Sequence, residues 1–187
     1  MRKALNVSVL FFGLAAGAAA LEIAGTVPAT VKGAPKADFN LSGLVVKNIA
    51  YENGAVIMPV TENKGRTYAD VKLLSKGLYM KLEACFKDGC AKPAAGKADK
   101  KSEAKPAAKA GPAIKVEEFK PLKSKVRVAN AEVSFDGELT ASLGVMASMK
   151  EPGVFWIAFP ETLEFKEAAL KTEIENAVKT AWAKHQK

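Results

Sequence analysis

Apolar positions follow two spacings along this chain, and the order of the spacings occurs twice. Leu41, Leu44-Val45-Val46, Ile49 and then Ala55-Val56-Ile57-Met58 read as strands. Glu52-Asn53-Gly54 interrupts them, and Asn-Gly is a strong signal for a tight hairpin turn. Asn63-Lys64-Gly65 marks a second turn. The spacing then becomes helical, with Val71, Leu74, Leu78, Leu82 and Cys85 on one face. Ser75 is placed to cap the helix proper, which would begin just after it. From Val126 the same order returns. Val126, Val128, Ala131 and Val133 lead to Asp136-Gly137, another hairpin signal, and Leu139, Ala141, Leu143 and Val145 alternate as in a half-buried strand. Pro152-Gly153 turns into Val154-Phe155-Trp156-Ile157-Ala158-Phe159, read as a buried strand that Pro160 ends. A last helix carries Leu170, Ile174, Ala177 and Ala181 on one face, with Val178 and Trp182 beside it. Thr172 and Glu175 have capping-box spacing, and Glu167–Lys171 and Glu175–Lys179 are favourable i,i+4 pairs.

Strands followed by one helix, twice over, predict an α+β chain of two small modules. Each would be a mainly antiparallel sheet followed by a covering helix, and duplication of one module accounts for the likeness. Residues 91–112 separate them and hold only Ala, Lys, Pro, Gly, Asp, Glu and Ser. Such a stretch cannot bury enough apolar surface to offset its ordering entropy, so a disordered linker is expected. Its six lysines also suit a polybasic arm, but a solubilising spacer is the favoured reading. The division is thus residues 1–20, 21–90, 91–112 and 113–187, each module small for an independent core.

Residues 1–20 begin Met-Arg-Lys, continue through an apolar run with Leu10, Phe11, Phe12 and Leu14, and end Ala18-Ala19-Ala20. A cationic start, apolar middle and A-x-A end make a secretory signal peptide, placing the mature start near Leu21. The competing reading is an uncleaved anchor, since an apolar run of about 17 residues is near the lower limit for spanning. After cleavage no stable membrane insertion is expected, and the protein is assigned outside the cytoplasm, periplasmic or secreted. Export favours pairing Cys85 with Cys90. Five residues of continuous helix rise about 7.5 Å, too far for a disulfide, so the helix must end between them. Asp88-Gly89 supplies the stop. Two free thiols are the alternative.

The formal charge is +8 over 187 residues, which suggests nucleic acid or an anionic surface as partner. Its distribution weakens that suggestion. Residues 21–90 hold 9 Lys and Arg against 7 acids, the linker 6 against 2, and residues 113–187 balance at 11 against 11. One His, His185, and two Cys leave no basis for a Cys/His zinc site or a buried Ser-His-Asp triad. No phosphate loop or nucleophile motif is present, so no catalytic, cofactor or metal residues are assigned. Tyr51, Glu52 and Asp70 are expected in solvated turns rather than in an acid–base set. Trp156 and Trp182 are expected in the core.

The residues in this order resemble the stage V sporulation protein G family, the septation regulators. The first half carries Lys36-Ala37, Val45-Val46-Lys47-Asn48-Ile49, Asn53-Gly54, Met58-Pro59, Gly65 and Tyr68-Ala69-Asp70-Val71. In the second, Gly137, Leu139 and Ala141, then Gly153 to Phe159-Pro160, then Ile174-Glu175-Asn176-Ala177-Val178 and Trp182 follow the same pattern. The resemblance implies a non-catalytic regulator of division-septum formation and sporulation, a homodimer, and nucleic-acid binding through basic residues near the Met-Pro strand and the following helix. Val60, Thr61 and Glu62 follow Met58-Pro59, and Glu161, Thr162 and Leu163 follow Phe159-Pro160, so neither stretch supplies a cation. Lys47, Lys64, Arg66 and Lys171 are the candidate nucleic-acid or partner contacts.

The favoured expectation is an exported, non-enzymatic tandem module of septation-regulator type that binds a protein or cell-envelope component. A nucleic-acid-binding regulator is the alternative, and an uncharacterised periplasmic enzyme the second alternative. A reporter fused after residue 30 is expected to be found outside the cytoplasm. Retention of the fusion in the cytoplasm contradicts export.

Overall fold

A computed structural model describes residues 20–29, 35–63, 65–90 and 111–186. Residues 1–19 of the signal segment, residues 91–110 of the linker and Lys64 lie outside the described residues. The first half forms β1 (Ile23–Ala29), β2 (Lys36–Leu41), β3 (Leu44–Glu52), β4 (Ala55–Ile57), β5 (Val60–Asn63), β6 (Arg66–Ala69), β7 (Val71–Leu73) and α1 (Lys76–Asp88). The second forms β8 (Ile114–Pro121), β9 (Arg127–Phe135), β10 (Leu139–Ala147), β11 (Phe155–Ala158), β12 (Leu163–Phe165) and α2 (Ala168–His185). The chain is α+β, with antiparallel pairing throughout. Asn53-Gly54 and Asp136-Gly137 turn as their sequence signals anticipate, and Ser42-Gly43 forms a further turn. Ser42-Gly43, Asn53-Gly54 and Asp136-Gly137 all place both residues at positive φ, the conformation that matches the twist of a tight hairpin.

Each half lends one strand to the other's sheet. The first sheet runs β1-β2-β3-β12 with β4 also on β3, and the second runs β11-β10-β9-β8 with β7 also on β10. The two loans have the same register. Leu73 faces Leu139 and Val71 faces Ala141, while Phe165 faces Leu44 and Leu163 faces Val46. Ser142 N–H donates to Asp70 C=O at 2.9 Å, and Lys47 N–H donates to Thr162 C=O at 2.8 Å. Leu74 N–H to Glu138 C=O at 2.8 Å is matched by Lys166 N–H to Gly43 C=O at 2.9 Å. Asp70 and Thr162 are therefore equivalent positions, and they meet: the Thr162 hydroxyl donates to Asp70 Oδ2 at 3.0 Å. Val71, read from sequence as the start of a helical face, is a strand residue. Ser75 separates strand from helix, its Oγ accepting from Leu78 N–H at 3.3 Å as an N-cap.

Each helix covers the sheet of its own half. Phe86 of α1 packs on Phe39 and Tyr51 with ring centroids 5.3 and 5.5 Å apart. Trp182 of α2 packs on Phe119 and Phe155 at 5.1 and 6.2 Å. Leu78 and Leu82 of α1 and Leu170, Ile174 and Val178 of α2 complete one buried cluster that includes side chains of both sheets. α1 ends at Asp88, Gly89 takes φ +79°, and Cys85 and Cys90 are at disulfide distance with Cα atoms 4.0 Å apart. A chain reversal at the helix end brings the two thiols together, as the spacing required.

Two expectations are corrected. Thr172 does not cap α2, which begins four residues earlier after Glu167; its hydroxyl donates back to Ala168 C=O at 3.0 Å. Leu170 is the reason, because burying it requires the helix to start before it. Trp156 is 49% exposed, whereas Trp182 is buried. β11 is an edge strand whose alternation buries Ile157 and turns Trp156 outward beside Met146.

Strand exchange and the shared core tie the stability of one half to the other. Leu82→Ala in α1 is expected to cost about 2–5 kcal/mol. Both tryptophans belong to the second half. The urea midpoint followed by tryptophan fluorescence should nevertheless fall with this first-half change; an unchanged midpoint would show that the halves unfold separately.

Candidate ligand cleft

The face of the second sheet away from α2 is polar. Asn130, Glu132 and Ser134 of β9 alternate with the core residues Ala129, Ala131, Val133 and Phe135. On β10 the same face carries Thr140, Ser142 and Gly144, and on β11 Trp156 and Ala158. The β5–β6 hairpin, present only in the first half, closes one side of this face and leaves a cleft of about 490 Å³. Thr61, Tyr68 and Asp70 line it from the hairpin side, Arg127, Asn130 and Ser142 from the sheet, and Phe159 and Glu161 from the segment leading to β12.

Three features give the cleft its chemistry. Arg127 lies across β10 at Gly144, where an added Cβ would come within 3.0 Å of its Nε and 3.2 Å of its Cζ. A glycine inside a strand here permits a guanidinium to lie flat on the backbone. The Oδ1 of Asn130 is buried without a hydrogen-bond partner among the described residues. An unpaired buried acceptor is costly, and a ligand N–H or O–H would satisfy it. Asp70 forms the floor, 7% exposed, with Oδ2 accepting from Thr61 at 2.8 Å and from Thr162 at 3.0 Å. That carboxylate fastens the hairpin to the crossing segment of the second half. It therefore does not sit in a solvated turn as expected. Tyr51 is half-buried against Phe86 and Glu52 is the exposed last residue of β3, paired with Ala55, so neither sits in a solvated turn and the three residues lie on different elements.

Beside the cleft, Glu132 accepts from Lys120 at 2.6 Å and from Lys72 at 3.3 Å, linking β9 to β8 and to the borrowed β7. The Lys120 hydrogen bond holds the Glu132 carboxyl below its ordinary pKa against the opposing effect of burial, and Lys72 adds to the lowering. Lys120 is raised in turn, chiefly by Glu132.

Of the basic residues singled out in the sequence, the described ones, Lys47, Arg66 and Lys171, do not line the cleft. Lys47 sits in a bulge of β3, where Asn48 N–H donates to Asp38 at 2.9 Å, and its ammonium pairs with Glu164 of β12. Lys171 of α2 lies 5.5 Å from the Phe159 ring centroid, a cation–π contact, rather than pairing with Glu167. Arg66 is exposed on the hairpin, and Lys64 is outside the described residues. Glu175 and Lys179 are 3.8 Å apart, as the spacing anticipates. Arg127 and Asn130 were not legible as site residues; the one available signal was Gly144 inside the alternating run Leu139–Val145. Among the described residues no group of three His, Cys, Asp or Glu side chains could hold a metal, and no helix is long and apolar enough to cross a membrane.

Comparison with known proteins gives no match to a family model, to a curated protein or to a solved structure.

The lowered pKa of Glu132 sets the sign of a pH effect. Its contribution is complete above the ordinary glutamate value of 4.5 and is lost as pH falls below it. Glu132→Gln should lower stability at neutral pH and flatten the acid side of the stability curve between about pH 5 and about pH 3. Urea midpoints across that range check this; an acid limb as steep as that of the unaltered protein contradicts it.

Proposed function

We propose that the chain is an exported, non-enzymatic binding protein of septation-regulator type, and that the cleft is where it takes its partner. The observation that carries this reading is the seating of Arg127 over Gly144 next to the unpaired Asn130 Oδ1. A guanidinium with free donors suits a carboxylate. An orphan amide oxygen two strand positions from Ser142 asks for an N–H. A peptide segment ending in a free carboxylate offers both, from a protein or from an envelope component. Exposed Trp156 on the same face, with Val154 and Met149 nearby in the chain, provides apolar surface for the remainder of such a partner. In this reading the two sheet-and-helix units, residues 21–90 and 113–187, are joined by a linker and act as one binding body. The paired cysteines accord with an oxidising compartment.

The test is thermal shift with short peptides bearing either a free or an amidated C-terminus. The free-carboxylate peptides are expected to raise the melting temperature, and Arg127→Ala or Gly144→Val to abolish the rise while leaving the protein folded. Equal shifts with amidated peptides, or shifts that survive Arg127→Ala, remove the cleft from the function. Binding to DNA or RNA that falls steeply with added salt would instead establish the nucleic-acid reading.

A further inference from the structure

Leu21 is fully buried, and the exposed residue before it is Ala20, the end of the A-x-A pattern. The backbone nitrogen of Leu21 lies 2.7 Å from Glu138 Oε2, in the turn between β9 and β10. The other carboxylate oxygen of Glu138 accepts from Ser75 Oγ at 3.0 Å, at the N-terminal end of α1. Lys81 of α1 holds the carbonyl of Leu21 at 3.2 Å. Residue 21 is thus gripped by its side chain, its nitrogen and its oxygen.

The second half shows what this position looks like when the chain simply continues through it. Ile23 pairs with Leu41 as Ile114 pairs with Phe135. Ser42 N–H donates to Glu22 C=O and Asp136 N–H to Ala113 C=O, both at 2.9 Å. Glu22 N–H donates to Ser42 Oγ as Ala113 N–H donates to Asp136 Oδ1. One residue further back, Leu21 is equivalent to Pro112; the β9–β10 turn is one residue longer than the β2–β3 turn, and counted back from the exchanged strand Glu138 takes the place of Gly43. Where the chain arrives from the linker, the buried residue is a proline with no N–H, and the acceptor position is a glycine with no side chain. Where it arrives from residue 20, the nitrogen carries a proton and donates it to a carboxylate.

We propose that Leu21 is the first residue of the processed protein and that its new α-ammonium is seated on the Glu138 carboxylate. Hydrolysis of the Ala20–Leu21 peptide bond by an export peptidase consumes one water, leaves a carboxylate on Ala20 and frees an amine on Leu21. That amine takes up a proton at neutral pH. Cleavage so converts a peptide hydrogen bond into an ion pair, and the processed chain gains a lock between its N-terminus and the second half. The inference rests on the export reading above but not on occupancy of the cleft.

The charges around the nitrogen decide its titration. Glu138 faces it directly and favours the cation. Lys81, held on the carbonyl of the same residue, opposes it from α1, as does exposed Lys76 in the first turn of that helix. Exposed Glu22 is the next residue, and Asp136 in the Glu138 turn is occupied by Ala113 N–H. The close carboxylate dominates, so the α-ammonium should titrate above the ordinary range of about 7.7–8.0. Its contribution is then complete below that range and is lost as pH rises through the raised value.

Two measurements test this. Protein recovered after expression with its own leader should have the intact mass and N-terminal sequence of a chain starting at Leu21. Export with a start elsewhere, or an exported chain left uncut, overturns the inference and leaves the export reading standing; an uncut chain retained in the cytoplasm overturns both. Separately, chains starting at Leu21, with or without one extra glycine in front, are compared with and without Glu138→Gln. The extra glycine should lower the melting temperature more at about pH 6 than at about pH 9, and Glu138→Gln should remove that difference while keeping an acceptor for Ser75. A glycine effect independent of pH, or unchanged in Glu138→Gln, overturns the seat whatever the fate of the leader.

Discussion

The fold hangs on a crossing. β7 and β12 leave their own halves at Asp70 and Thr162, pass each other, and finish the opposite sheets in matching register. At the crossing the Thr162 hydroxyl donates to a carboxylate that is almost wholly buried, and Thr61 donates to the same oxygen. A buried carboxylate without such donors would be expensive, so the two segments must cross here for Asp70 to be tolerated. Each borrowed strand leads into a helix that returns to cover its home sheet, α1 capped by Ser75 and α2 starting after Glu167 without a side-chain cap. Register, helix entry and core packing in both halves are consequences of the same exchange, and neither half has its full sheet alone.

Much of this was legible in the sequence, and the reasons are local. Asn53-Gly54 and Asp136-Gly137 fix hairpins through their own backbone preference, whatever surrounds them. Helical spacing marks the last helix, but it places Ala177 and Ala181 on the face with Leu170 and Ile174, whereas the buried face is Leu170, Ile174, Val178 and Trp182. Cys85 and Cys90 could be paired because the argument needed only a helix stop between them. The exchange was not legible, because Val71-Lys72-Leu73 is too short for its alternation to be told from the start of the helix that follows. Which sheet receives a three-residue strand is decided by contacts distant in sequence.

The cleft was hidden for a related reason. Arg127 reads as an ordinary strand-edge cation, and only the register between β9 and β10 lays it on Gly144. Trp156 was misplaced because a continuous apolar run reads as buried on both faces, whereas an edge strand buries alternate residues. Asp70 was misplaced in the opposite direction: a carboxylate beside a turn signal reads as solvated until its two threonine partners, one of them 92 residues away, are known.

A frame with two equivalent halves makes each difference between equivalents informative. Ser142 in the cleft corresponds to Lys47 on the first sheet, since both N–H groups bond the crossing segment of the other half. Lys72 corresponds likewise to Glu164 through the matched strand registers. On the first sheet these positions are filled by the Lys47–Glu164 ion pair. On the second, Lys72 turns to Glu132, Ser142 is left facing the cleft, and the inserted β5–β6 hairpin walls it in. The positive charge that first draws attention to Lys47 is spent closing one face, while the equivalent face stays open around Arg127. The Leu21–Glu138 contact against Pro112 and Gly43 follows the same logic at the other end of the strands. In both places the shared frame supplies the geometry, and the residues exchanged between equivalents decide whether a contact is closed or left open.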